Sequence, residues 1–211
     1  MIMGDGNHSL AAAKSYWDEI KQNLSASEQE SHPARYALLE VNNLYDPAIS
    51  FEAIHRVVFD VSVEKFVSAF SNALTKTIDG DNEYSLQVIS SDNSDKTGKT
   101  GDGSLSYSSA ARLRCVPCLV KASSTSELIT KVQEFLDDYI DREGGKIDYI
   151  HDEDVVRKLA KEKNCVGILL PTVSKPEFFK TVSANGVFPR KSFSVGHARD
   201  KRYYMECRKI I

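Results

Sequence analysis

"KIDYIHDEDVVRKLAKEKNCVGILL" runs from residue 146 to residue 170, and its three parts read differently. "KIDYI" is a short strand. "DEDVVRKLAKEK" (152–163) is a helix with acids at its start and lysines at its end, the arrangement that the helix dipole favours. "CVGILL" (165–170) is continuously apolar, as a strand is when both of its faces are covered. Strand, helix and covered strand in one short run require a sheet with helices layered on it. The expected fold is therefore α+β, or mixed α/β.

The flanking chain supports that class. Ser124 and Glu127 form a capping box for a helix built on Leu128, Val132, Phe135, Leu136 and Tyr139, and Gly144-Gly145 stops it. "ARLRCVPCLV" (111–120) is a strand that Pro117 demotes to an edge or a bulge. "SDNSDKTGKTGDGS" (91–104) is poor in apolar residues and reads as a long hairpin tip after the strand "EYSLQVIS" (83–90). Ser62 caps a helix that turns Val63, Phe66, Val67, Phe70 and Leu74 inward. In "FEAIHRVVFDV" (51–61), alternation puts Ala53, His55, Val57 and Phe59 on one face and Ile54, Arg56 and Val58 on the other.

Nearer the start, "ARYALLEVNNL" (34–44) reads as a buried strand and "SASEQESHP" (25–33) as a polar connector. Leu10, Ala13, Trp17, Ile20 and Leu24 form an amphipathic helix directly behind the opening loop. At the other end, Ser174 and Glu177 cap a short helix that Asn185-Gly186 ends, and "RYYMECRKI" (202–210) closes the chain as a strand. The expectation is several strands covered by about four or five amphipathic helices. They belong to one domain over 1–211, with any internal division near 121–145.

Bulk composition narrows the function class. Charged residues are 27% and apolar residues 41% of the 211, the ordinary mix of a globular protein. A net charge of −3 sets up no field towards nucleic acid or membrane, so neither is expected as a partner. No apolar run reaches the roughly 18–20 residues that span a bilayer. The N-terminus lacks the basic region and apolar core of a signal peptide. Four cysteines are too few for a disulfide framework and read as reduced thiols, which points to the cytoplasm.

Three motif-like stretches do not hold up. "GKT" (98–100) lacks the earlier glycine and the following helix of a phosphate loop. Cys115-Val-Pro-Cys118 has no second pair for zinc and lies in a strand, so packing explains it better. His151-Asp-Glu-Asp154 is better read as a strand end running into an acidic first helical turn than as a metal site. No metal ligands are therefore assigned.

Two other places stay open. His55 points inward, either as a satisfied core histidine or as part of a pocket. Arg56, on the opposite face, either serves an anion or is solvated. "FPRKSFSVGHARDKRYYMECRK" (188–209) holds seven Lys/Arg against two acids. It is either a solvated edge strand or an anion-binding wall, with Arg190 and Lys191 as its leading cations.

The opening, "MIMGDGNHSLAAAK" (1–14), concentrates chemistry in one turn. Gly4 and Gly6 permit backbone conformations closed to bulkier residues. A helix beginning near Ser9 presents unpaired N–H groups and a partial positive charge, a natural seat for an anion. Asp5, Asn7 and His8 add an acceptor, an amide and a titratable ring. The plain alternative is a turn that only caps the helix.

"GDGNHSLAAAKSYWDEIK", "PARYALLEVNNLYDPAISFEAIHRVVF", "GKIDYIHDEDVVRKLA" and "GILLPTVSKPEFFKTVSANGVFPRKSFSVGHARDKRYYMECRKI" resemble, in order, successive blocks of the domain of unknown function 1015 family. The resemblance covers essentially the whole chain. In that family the first block reads as a D-G-H-H-R-type motif preceded by a strand and a substantial N-terminal region. The chain thus resembles the C-terminal portion of a family member, a truncated part of a larger fold, with Met1-Ile-Met3 the tail of the entering strand.

That motif is similar in turn to the phosphate-binding turn of the ParB and sulfiredoxin superfamily, which includes free serine kinases. Gly6, Asn7 and His8 match it. Ser9 departs, because the family pattern has an arginine there and a hydroxyl cannot supply a bidentate fork. Lys191, Arg190 or Arg56 would have to supply that charge. The resemblance implies a protein that binds phosphate or nucleotide and is related to phosphotransferases acting on a small, serine-like metabolite. Asp5 and His8 would be its acid–base or metal-orienting groups, Gly4, Gly6, Asn7 and Ser9 its phosphate cradle, and ATP or ADP with magnesium its cofactor. The rival expectation is a non-enzymatic regulatory or interaction module, or an inactive fragment of a longer protein.

Overall fold

The computed structural model describes residues 2–3, 6–77, 80–91 and 112–196. They fall into two units, one made of residues up to 50 with 195–196, the other of 51–194. The hairpin tip expected at 91–104 lies, beyond Ser91, outside the described residues. So do the strand expected at 202–210 and the positions Gly4 and Asp5.

In the first unit, helix α1 (Asn7–Ile20) is followed by a 3₁₀ turn (Lys21–Asn23), helix α2 (Ala26–Ser31) and a second 3₁₀ turn (Pro33–Arg35). The stretch 25–33, expected as a connector, therefore contains a helix. Its start is a complete capping box. The Ser25 hydroxyl accepts from the Glu28 amide, and the Glu28 carboxylate accepts from the Ser25 amide at 2.8 Å. The buried strand expected at 34–44 does not form. Beyond the Pro33–Arg35 turn the chain joins no described strand and is exposed through 43, with Leu38 87% and Val41 70% accessible. An apolar run becomes a strand only where a neighbour takes its amides and carbonyls, and none of the described strands pairs with it.

The second unit has two antiparallel sheets. Short β1 (Phe51–Ala53) pairs with β7 (Phe193–Val195), whose Phe193 and Ser194 belong to this unit. The larger sheet contains β2 (His55–Phe59), β3 (Asn82–Ser91), β4 (Leu113–Ala122), β5 (Lys146–Ile150) and β6 (Cys165–Leu169), in the order β4-β3-β6-β2-β5. Because β2 and β3 both run antiparallel to β6, they are parallel to each other with β6 between them. Helix α3 (Val63–Thr77) joins them. In the same way β5 and β6 flank β2, and helix α5 (Glu153–Leu159) joins those two. The segments β2-α3-β3 and β5-α5-β6 interlock, which places β6, buried at every position, in the middle of the sheet.

Pairing partners share a face, so the register sorts the side chains. Arg56, Val58, Val88, Val166, Ile168 and Cys118 point to one side. That side is covered by α3 and by α4 (Thr125–Glu143), which meet through edge contacts of Phe135 with Phe66 and Phe70. His55, Val57, Ile89, Cys165 and Gly167 point to the other side, where α5 packs with Val156 and Ala160. Gly167 lets the helix come close: a Cβ there would stand 2.6 Å from Val156 Cγ1. Pro117 lies in β4, an edge strand, where its missing N–H costs no ladder bond to a further strand.

Caps follow the sequence with two changes. The Ser124 hydroxyl accepts from the Glu127 amide at 3.1 Å, but the Glu127 carboxylate reaches past it to the Ser123 amide at 2.9 Å. In α6 (Lys175–Asn185), Ser174 caps as expected, whereas the Glu177 carboxylate leaves its own helix for α4. Gly144 and Gly186 end α4 and α6 with positive φ, as the sequence requires.

Candidate functional site

The expected phosphate cradle lies at the start of α1. Gly6 is the N-cap in the left-handed region (φ 78°), a conformation that suits glycine, and no side chain caps the helix. The Leu10 amide donates to the Gly6 carbonyl at 2.9 Å. The helix therefore begins at Asn7 rather than Ser9, so Asn7, His8 and Ser9 form its first turn instead of a preceding loop. All three are exposed, and no acid stands among them. Their N–H groups face out of the helix at its positive end, without a carboxylate of their own to neutralise it.

His55 and Arg56 occupy adjacent positions on opposite faces of β2. His55 is 7% exposed and accepts, at Nδ1, the Leu170 amide at 3.1 Å. Arg56 is neither solvated nor turned to an external anion: it is 0% exposed. Its Nη1 donates to the Ile54 carbonyl at 2.7 Å and its Nε to Gln133 of α4 at 3.0 Å, while the guanidinium lies 4.7 Å from the Tyr149 ring centre. Gln133 in turn donates to Asp137 at 2.8 Å. Nη2 is buried with no hydrogen-bond partner. Burial pulls the guanidinium down to about 10, with Tyr149 and Asp137 opposing it. Arg56 therefore holds β2, α4 and β5 together from the inside.

Arg190 and Lys191 are exposed in the second unit, in a turn where the Ser192 hydroxyl donates to the Pro189 carbonyl at 2.6 Å. Lys191 has φ 57°, unusual for a residue with a Cβ. From 197 onwards the basic segment lies outside the described residues.

The remaining motifs have structural explanations. Cys115 and Cys118 stand opposite Ile89 and Leu86, hence on opposite faces of β4, and cannot share an ion. Burial raises the Cys118 thiol and pushes Cys165 up to about 12. Asp152 is the N-cap of α5, accepting from the Asp154 amide at 2.9 Å, and Glu153 accepts from Arg157 at 2.8 Å. Among the described residues no group of three or more His, Cys, Asp or Glu could hold a metal. Asn7, His8 and Ser9, the described residues of the expected cradle after Gly6, include no carboxylate. Sequence reasoning missed the partners of Arg56. Gln133 and Tyr149 lie far along the chain, and the one available hint was that both faces of β2 read as partly apolar.

Among protein families, the chain matches over residues 1–163 the model of one described as a protein of unknown function (DUF1015). No curated protein and no solved structure matches it. Among the described residues, no helix is long and apolar enough to cross a membrane.

Proposed function

We propose, for a chain that belongs to the DUF1015 family, that the start of α1 binds a phosphate-bearing small molecule, and that the protein is a cytoplasmic relative of small-metabolite kinases. One observation supports this most. Helix α1 opens on a left-handed glycine with no side-chain cap and no acid in its first turn. Anions favour such an end, because the N–H groups and the helix dipole act together. In this reading the backbone of Gly4, Gly6, Asn7 and Ser9 cradles the phosphate, in the manner of the ParB and sulfiredoxin turn. Asp5 and His8 are its acid–base groups. Phosphoryl transfer rests mainly on positioning and charge neutralisation, which suits a turn built from backbone donors. A nucleotide would bring magnesium on its own phosphates. Arg56, enclosed by Ile54, Gln133 and Tyr149, has no part in it.

A second reading, an interaction module without chemistry, is favoured by the exposed apolar run at Tyr36, Leu38, Leu39 and Val41. Thermal melts with phosphate, phosphoserine, ADP and ATP separate the two. A ligand at 100 times its Kd adds about 2.7 kcal/mol, an easily measured rise in Tm. A rise with a nucleotide or phosphate supports the first reading. Flat melts with all four, in a correctly folded sample, reject it.

A further inference from the structure

We propose that His55 is a proton-operated latch: neutral, it holds the start of β2 to the chain leaving β6, and protonated, it releases that junction.

The argument starts from where the bond lies. Ile54 separates β1 from β2, and Leu170 is the first residue past β6 on the way to α6. Both places are therefore joints between the five-stranded sheet and the small assembly of β1, β7 and α6. That assembly has its own aromatic core, in which Phe51, Phe178, Phe188 and Phe193 pack ring against ring. Across the two joints, the Leu170 amide donates to Nδ1 of His55 at 3.1 Å. This bond is buried and spans 115 residues of sequence.

An imidazole that accepts at Nδ1 must carry its single proton on Nε2. A second proton would convert Nδ1 to a donor facing another donor. The bond would then become a repulsion in a site with little water to relieve it. The groups around the ring do not remove this cost. Burial draws His55 below the ordinary histidine range, Glu153 and Asp152 oppose that shift, and Arg56 and His151 reinforce it. The two acids are already engaged, Asp152 by the Asp154 amide and Glu153 by Arg157. The folded state thus prefers the neutral ring. The latch is whole above about pH 6.5, where folded and unfolded chains both carry neutral imidazole, and weakens as pH falls below it.

The test is amide hydrogen exchange at Leu170 between pH 8 and pH 5, corrected for intrinsic rates. Wild type is compared with His55→Asn, whose side-chain oxygen can accept the same bond but cannot titrate. Below about pH 6.5 wild-type protection should fall by up to about tenfold for each pH unit until the ring of the folded chain is itself protonated, while the variant's stays level. Equal, pH-independent protection in both proteins would overturn the latch. If His55→Asn does not fold, nitrogen NMR of the wild-type ring decides instead. The proposal requires an unprotonated Nδ1 at pH 8 and a midpoint below about 6.5. A protonated Nδ1 at pH 8, or a midpoint above that value, would equally overturn it.

Discussion

Glu177 of α6 places its carboxylate on the first residue of α4: the Thr125 amide donates to it at 2.6 Å and the Thr125 hydroxyl at 2.9 Å. A carboxylate from one helix thus takes an orphan donor at the positive end of another, where a charge-assisted bond is worth about 1.5–3 kcal/mol. Glu177→Ala should lower the unfolding free energy by about that amount, and Glu177→Gln by less. Urea melts of the three proteins check this. An unchanged midpoint in the alanine variant would mean that the contact adds no stability.

Gly167→Ala should destabilise by about 1–3 kcal/mol, as overpacked cores do. The new methyl would meet Val156 Cγ1 at 2.6 Å and push α5 away from the middle of the sheet. Far-UV circular dichroism and a melt would show a folded protein with a lower Tm. An unshifted Tm would show that α5 adjusts without cost.

Arg56→Lys keeps the charge but loses the fork. A single ammonium cannot serve the Ile54 carbonyl and Gln133 together and still lie against Tyr149. The expected loss is about 1–3 kcal/mol, the cost of leaving a buried polar group without its partner. At a temperature where the variant is folded, phosphate affinity should equal that of wild type. A lost affinity with stability intact would return Arg56 to the anion site.

Much of this architecture was legible in local signals. The acids and lysines of 152–163, the uninterrupted "CVGILL" and Ser124 with Gly144 each describe a neighbourhood of a few residues, and the helices and strands appear there. What stayed hidden depended on distant partners. Tyr36, Leu38 and Val41 look like a strand, but no described strand takes their backbone. Arg56 looked like a surface cation because alternation assigns faces without saying that α4 covers one of them. The error at 25–33 had another origin. Ser25 and Glu28 carry the same box signature that identified α4, and a short polar helix offers no apolar stripe to draw attention to it. At the opening turn, the sequence places the helix start near Ser9, whereas α1 begins at Asn7.

Thiol reactivity should follow burial. Of the described cysteines, Cys115 is exposed, while burial raises the thiols of Cys118 and Cys165. A thiol reagent at neutral pH should therefore label Cys115 first and the other two only on unfolding. Mass spectrometry of the early adducts checks the order. Labelling of Cys165 before Cys115 in native protein would contradict the placement of β6 at the centre of the sheet.

The claim that α1 begins at an anion site is tested most directly by calorimetric titration of phosphate and of magnesium ADP into wild type, His8→Ala and Ser9→Arg. Ser9→Arg adds a guanidinium to the first turn of α1, and a charge-assisted bond from it should tighten binding by about tenfold or more. His8→Ala should weaken binding. Those two opposite changes, on a wild type that binds, are the predicted result. Affinities that are absent in all three proteins, or identical in all three, would contradict it and leave the Gly6 turn as no more than the start of a helix.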